Sequence, residues 1–280
     1  MMNPERILVA LQGDEADDTP LAAAMALAPL VKADIRAVFV EPDPASYMLW
    51  TGPGAAGASV VTSAIETVRE EAAKAAIEAE ARMKRHLETL EDRGVNASFR
   101  RVTDSPSEAA QQARLVRMLV ACPDAAAGKG PLSGFTASCL VDEACPLFVP
   151  RGGAIPPKKI CVAWDGSREA SRAAFAAEPF FTKGVEVTIL HSPKNLDYAD
   201  RAAAAPNRLA NWLAPRGIKA KSQAVEAKGS LGEALLEAAS GADLLVAGAY
   251  GQSRLAQFIF GGVTRTLLGA KDGPSLLVAH

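Results

Sequence analysis

The sequence predicts two tandem doubly wound α/β domains with parallel sheets, and two observations carry that prediction. The first is an internal repeat. Arg6-Ile7-Leu8-Val9-Ala10-Leu11-Gln12-Gly13 matches Lys159-Ile160-Cys161-Val162-Ala163-Trp164-Asp165-Gly166 in character, each an apolar run ending in a polar residue and a glycine. The second is alternation. Apolar runs of strand length are separated by helical stretches, the pattern of parallel strands covered by helices on both faces.

In the first half, the strand ending at Gln12 leads into an Ala-rich helix over 18–32 and a second strand over 35–40. Apolar residues at 65, 68, 72, 76, 83, 87 and 90 have helical spacing. They predict a crossover helix over 65–93, about 40 Å long at 1.5 Å per residue, with Glu70, Glu71, Lys74, Glu78, Arg82 and Lys84 on its solvated face. Strands over 97–102 and 115–122 follow, then Leu147-Phe148-Val149 behind Pro146. The second half repeats the series with a helix over 168–181, strands over 185–191, 220–225 and 244–248, and a closing strand over 276–278 behind Pro274. Between the halves, residues 150–157 carry paired glycines and paired prolines that interrupt regular structure. The domains therefore read as 1–152 and 157–280. One insertion departs from the repeat, residues 42–64, with Tyr47, Met48, Leu49 and Trp50 ahead of Gly52-Pro53-Gly54. Either it folds back on its own domain or it forms a lid or subunit contact.

Composition narrows the function. A chain of 280 residues with 49% hydrophobic and 22% charged residues is globular, with room for two cores. A net charge of −2 gives no electrostatic reason to expect nucleic acid or an anionic membrane as partner. No apolar run reaches transmembrane length and no signal peptide is evident, so a cytoplasmic protein is expected. The four cysteines (Cys122, Cys139, Cys145, Cys161) lack C-x-x-C spacing, and three histidines are scattered. Reduced, packed thiols are expected rather than zinc or disulfides.

One segment points to chemistry. Gly248-Ala249-Tyr250-Gly251 follows the apolar run Leu244 to Ala247, and after nine more residues comes Gly261-Gly262-Val263-Thr264. Glycines at the end of a parallel strand let backbone approach a ligand closely. A helix opening at the second pair would turn free N–H groups on the same spot, which suits phosphate. Two glycines at a helix start weaken the helix, so close backbone approach explains them better than stability does. There is no nucleophile elbow, no His/Cys pair with a supporting acid and no metal cluster. A binding protein is expected, with no catalytic or metal-ligating residue.

On the repeat and this glycine spacing, the chain resembles the universal stress protein family in its tandem two-domain members, whose fold is adenine-nucleotide α-hydrolase-like. The family signature is glycine, two residues, glycine, nine residues, glycine, then serine or threonine. Gly248, Gly251 and Gly261 fit it, and Gly262 stands where the hydroxyl residue would be. Residues 158–167 resemble the family's first strand with its Asp-Gly-Ser end, and 274–278 its closing strand.

The resemblance implies a site for ATP or another adenine nucleotide, with magnesium as a candidate companion. It places Asp165 beside the adenosine, flanked by backbone of Ala163 and Trp164. Ser192 falls at the adenine edge and Gly248 under the ribose, where a side chain is expected to fill the site. Gly251, Gly261, Gly262, Val263 and Thr264 surround the phosphates, largely through backbone N–H groups. Arg254 is the nearest cation, either a phosphate partner or a surface charge. Asp165 and Ser167 also fit as caps of the following helix, which is compatible with ligand contact. The hydroxyl missing at Gly262 removes a hydrogen bond worth roughly 1.5–3 kcal/mol, or ten- to a hundred-fold in affinity.

The first half has lost the motif. Gln12 replaces the aspartate, and 123–131 keeps neither the glycine spacing nor a Walker A loop. That half is expected to be a structural partner without nucleotide. The resemblance further implies that the closing strands pair to make an intramolecular pseudo-dimer, with a homodimer of chains as a further level. The implied function is nucleotide-binding regulation in the stress response. The alternatives are a nucleotide-dependent enzyme with weak ATP hydrolysis and a nucleotide-free interaction scaffold.

Overall fold

A computed structural model describes residues 5–41, 58–88, 94–192, 202–227, 229–249 and 262–280, with side chains from 65 onward in the helix that begins at Ala58. The first half contains β1 (Glu5–Leu11), α1 (Asp18–Val31), β2 (Ala33–Val40), α2 (Ala58–Glu88), β3 (Ala97–Val102), α3 (Pro106–Ala109), β4 (Met118–Val120), α4 (Pro123–Ala126), α5 (Ser133–Val141) and β5 (Leu147–Val149). The second contains β6 (Lys159–Ala163), α6 (Arg168–Ala176), β7 (Glu186–His191), α7 (Pro206–Leu213), β8 (Lys221–Ala224), α8 (Leu231–Ala238), β9 (Leu244–Gly248), α9 (Gly262–Gly269) and β10 (Ser275–Ala279).

These strands form one sheet in the order β3-β2-β1-β4-β5-β10-β9-β6-β7-β8. Each half has its first strand between its second and its fourth, so successive crossovers leave in opposite directions, the doubly wound arrangement. Pairing is parallel within each half. The halves meet where β5 and β10 pair antiparallel, with Leu276 opposite Val149 and Val278 opposite Leu147. Two short apolar strands that would be bare sheet edges in separate halves thereby satisfy each other.

Both faces of the sheet are covered, which is why the strands read as near-continuous apolar runs. Alternate side chains serve different layers. Ile7, Val9 and Leu11 pack with α1 and α2, in a layer that continues through Phe148 to α6 and α7. Leu8 and Ala10 face the other layer, with α5, α8 and α9. The Phe148 and Phe180 rings, 6.5 Å apart, carry the first layer across the junction.

Several expectations change at their ends. The strand expected over 115–122 is only Met118–Val120, the three residues that are buried between β1 and β5. Leu115 is 92% exposed with φ +57°, so it lies in the approach loop. The helix expected over 168–181 stops at Ala176, and Pro179, which has no N–H to donate, sits in a following 3₁₀ turn. The crossover helix starts earlier than its apolar spacing suggested, at Ala58. Tyr47, Met48, Leu49 and Trp50, expected either to fold back on their own domain or to form a lid or subunit contact, lie outside the described residues. All four cysteines are buried free thiols. Among the described residues no helix is long and apolar enough to cross a membrane.

Candidate functional site

In the second half the crossovers diverge between β6 and β9. Ala163 is paired with Ala247 on β9 and Leu190 on β7, so Trp164 and Gly248 follow at the same end of adjacent strands. Ligands of doubly wound sheets bind in that crevice. Trp164 N–H continues the ladder to Leu190 O at 2.8 Å. Asp165 is exposed, and its Oδ1 accepts from Ser167 N–H at 2.9 Å. Ser167 Oγ in turn accepts from Ala170 N–H at 3.1 Å and caps α6. The capping role therefore falls to Ser167, while Asp165 braces the turn before it and its Oδ2 is left without a protein partner among the described residues. Gly166 makes this turn possible at φ +76°, under backbone so close that a Cβ would lie 2.2 Å from the carbonyl carbon of Ala203.

Gly248 ends β9, but its lack of a side chain has a nearer cause than a ligand. A Cβ there would lie 2.6 Å from the Ala170 nitrogen and 2.8 Å from the Glu169 carbonyl carbon. This corrects the expectation that a side chain at Gly248 would fill the ligand space: it would collide with the start of α6. Beyond β9, Ala249 N–H donates to Ala279 O at 2.8 Å, and Arg172 Nη1 donates to His280 O at 2.8 Å. The closing strand is thereby tied to α6 beside the crevice.

Gly262 opens α9, as the glycine spacing predicts. It is exposed, and among the described residues a Cβ on it would meet nothing within 4 Å. Val263 is half-buried and Thr264 is buried, so a role for Thr264 at a ligand falls to its backbone. Ser192 is half-buried just after β7. Gly251, Arg254 and Gly261 lie outside the described residues. The sequence reading missed Glu169, which is 5% exposed beneath the end of β9 with its Oε2 buried and unpartnered among the described residues. An acidic residue in a first helical turn ordinarily signals only the helix dipole, so nothing local marked it.

The equivalent loop of the first half is closed by its own side chains. Gln12 and Gly13 N–H groups donate to Asp17 Oδ1 and Oδ2 at 2.9 and 2.8 Å. Burial pushes the Asp17 carboxyl up to about 6 although both N–H groups pull it down. In the repeat Asp17 occupies the place of Ala170. Gly13, at φ +91°, lies so close to α2 that a Cβ would be 2.4 Å from Ala75 O. After β4 the chain turns into α4 at Pro123, and Gly130 packs near Gln12 Oε1.

Residues 156–278 match the model of the Universal stress protein family. Over the whole chain, the fold is similar to that of a universal stress protein from Archaeoglobus fulgidus DSM 4304, at 16% identity, 98% coverage of this chain, 97% of that chain and a TM-score of 0.64. It is also similar to a functionally unknown protein from Pseudomonas aeruginosa PAO1, at 15% identity, 98% and 91% coverage and a TM-score of 0.52. No curated protein sequence matches the chain. The resemblance drawn from the repeat and the glycine spacing is thus borne out: residues 156–278 match the family's model, and over the full chain the α/β fold is similar to that of a solved universal stress protein.

Proposed function

We propose that this chain is a nucleotide-binding regulatory protein of the stress response, and that its second half holds ATP or another adenine nucleotide where β6 and β9 part. The observation that carries the proposal is Asp165, an exposed carboxylate at that divergence with one oxygen accepting from the Ser167 N–H and the other without a partner among the described residues. Such an oxygen suits a ribose hydroxyl. Ala163 and Trp164 backbone would flank the adenosine, and Ser192 backbone would meet the base. The backbone N–H groups of Gly262, Val263 and Thr264 lie in the first turn of α9, where the helix dipole suits phosphate. Gly251, Arg254 and Gly261 complete the reading by their place in the motif. Among the described residues no cluster of three or more acidic, His or Cys side chains offers a metal cage. Magnesium would therefore enter bound to the nucleotide's own phosphates, keeping several waters.

In this reading the protein binds without turning over, acts in the cytoplasm, and uses its first half as the other member of a pseudo-dimer joined at β5 and β10. A homodimer of chains is the corresponding expectation in solution. The test is direct. Freshly purified protein is heated, and the released material is chromatographed for adenine nucleotide. Calorimetry then follows with ATP, ADP and AMP. Saturable binding supports the proposal. No binding of any of the three at millimolar concentration overturns it in favour of a scaffold. ATP cleavage at about one per second or faster, abolished by Asp165→Ala, would make the protein an enzyme.

A further inference from the structure

Arg151 belongs to the linker that follows β5, yet its guanidinium reaches into the second half. Its Nη2 donates to the Leu267 carbonyl at 2.6 Å, and its backbone N–H donates to Ser275 Oγ at 3.2 Å. Leu267 lies in the last turn of α9, where carbonyls lack intrahelical partners and a cation is favoured by the helix dipole. Burial lowers the Arg151 pKa to about 10, against the opposing field of Asp272, which leaves it charged at neutral pH. Its Nε and Nη1 are buried without partners among the described residues. Burying those N–H groups unpaired is costly, and a linker arginine with no other task would remain in water.

The helix that Arg151 grips is held along its flank as well. Gly232 on α8 approaches Thr266 so closely that a Cβ would lie 2.6 Å from the Thr266 Cβ. The short helix α4, from the first half, also packs against α9. At 1.5 Å per residue the helix is about 12 Å long, and its far end is Gly262.

We infer that Arg151 is a positioning residue for the nucleotide site: it anchors the last turn of α9 and so fixes, one short helix away, the N–H groups at Gly262, Val263 and Thr264. The inference rests on the proposed function. It assigns the first half a task as well, because the half without the glycine motif supplies both the anchoring arginine and the flanking α4. Helix N–H groups select phosphate by direction, and misplacement by about 1 Å is enough to be costly.

The experiment uses the full chain with ATP as probe. Arg151→Met removes the donor and retains much of the packing. The expected result is a Kd raised roughly ten-fold, the loss of about 1.4 kcal/mol, with α9 amides exchanging faster than wild type in the absence of nucleotide. Arg151→Lys, which keeps a cationic donor, should recover most of the affinity. A folded Arg151→Met protein with wild-type Kd overturns the inference. Should that variant fail to fold, Arg151→Gln takes its place, and an unchanged Kd there is equally decisive. If wild type binds no nucleotide, the proposed function fails. The exchange comparison still judges the anchor: unchanged rates at 263–269 overturn it, and faster rates in Arg151→Met support it.

Discussion

Gly248 and Ala170 meet backbone to backbone: a Cβ on Gly248 would lie 2.6 Å from the Ala170 nitrogen. The end of β9 and the start of α6 can approach only with glycine at this position. Gly248→Ala should therefore destabilise the protein by about 1–3 kcal/mol through overpacking, whether or not a ligand is bound. Urea unfolding followed by circular dichroism measures this, and a wild-type midpoint would contradict the packing account.

Gly262 offers the opposite situation, because a side chain there would meet nothing within 4 Å among the described residues. Gly262→Ser restores the hydroxyl that the family signature carries and removes a poor helix former. ATP affinity should rise roughly ten- to a hundred-fold, as expected for a hydrogen bond to a charged group worth about 1.5–3 kcal/mol. Calorimetry on wild type and variant, under the same salt, reads the ratio. An unchanged or weaker Kd would remove Gly262 from the phosphate site.

Asp17 predicts a pH dependence in the first half. Its folded pKa, about 6, lies above the ordinary 3.8, with burial as the main cause. The proton is thus held more tightly in the folded protein. The group's stabilising contribution is complete below about pH 4 and is lost as pH rises through 6. A shift of about two units corresponds to ~3 kcal/mol. Asp17→Asn removes the titration, so wild type should lose stability relative to the variant between pH 4 and 7. Parallel denaturation curves at both pH values test the sign.

Asp243 predicts the reverse trend. Its carboxylate accepts from the N–H groups of Lys158 at 2.8 Å, Lys159 at 2.9 Å and Ala154 at 3.4 Å, stapling the linker to the start of β9. Burial would raise its pKa, but the Lys159, Lys158 and Ala154 N–H groups outweigh that and hold it below the usual range. Its contribution is present above the unfolded carboxylate value and lost as pH falls through the lower folded one. Asp243→Asn should cost about 1–3 kcal/mol at pH 7, with the penalty shrinking toward pH 3. A constant penalty across that range would show that charge is not what the linker uses.

Much of the frame was legible because it depends on local pattern. The α1 boundary was anticipated within a residue, and β9 and the opening of α9 at Gly262 fell where the apolar run and glycine spacing put them. Strand ends were less legible. Leu115 looks like strand in an apolar run, but only Met118, Leu119 and Val120 have neighbouring strands to pair with. The site was readable as a list of residues at strand ends. The Asp17 clamp on Gln12 and Gly13 was not, since an acid near a helix start has a sufficient local explanation as a dipole partner.

The sequence by itself determined that two similar α/β halves follow one another and that only the second keeps the glycine motif. Both facts are carried by periodicity and spacing, which are properties of neighbouring residues. Tertiary structure alone decided that β5 joins β10 antiparallel, that Gly248 serves the packing of α6, and that Arg151 reaches Leu267 across 116 positions of chain. Those outcomes depend on how helices settle on the sheet. Close approach and desolvation arise only when distant segments are pressed together, and no local pattern encodes which segments those will be.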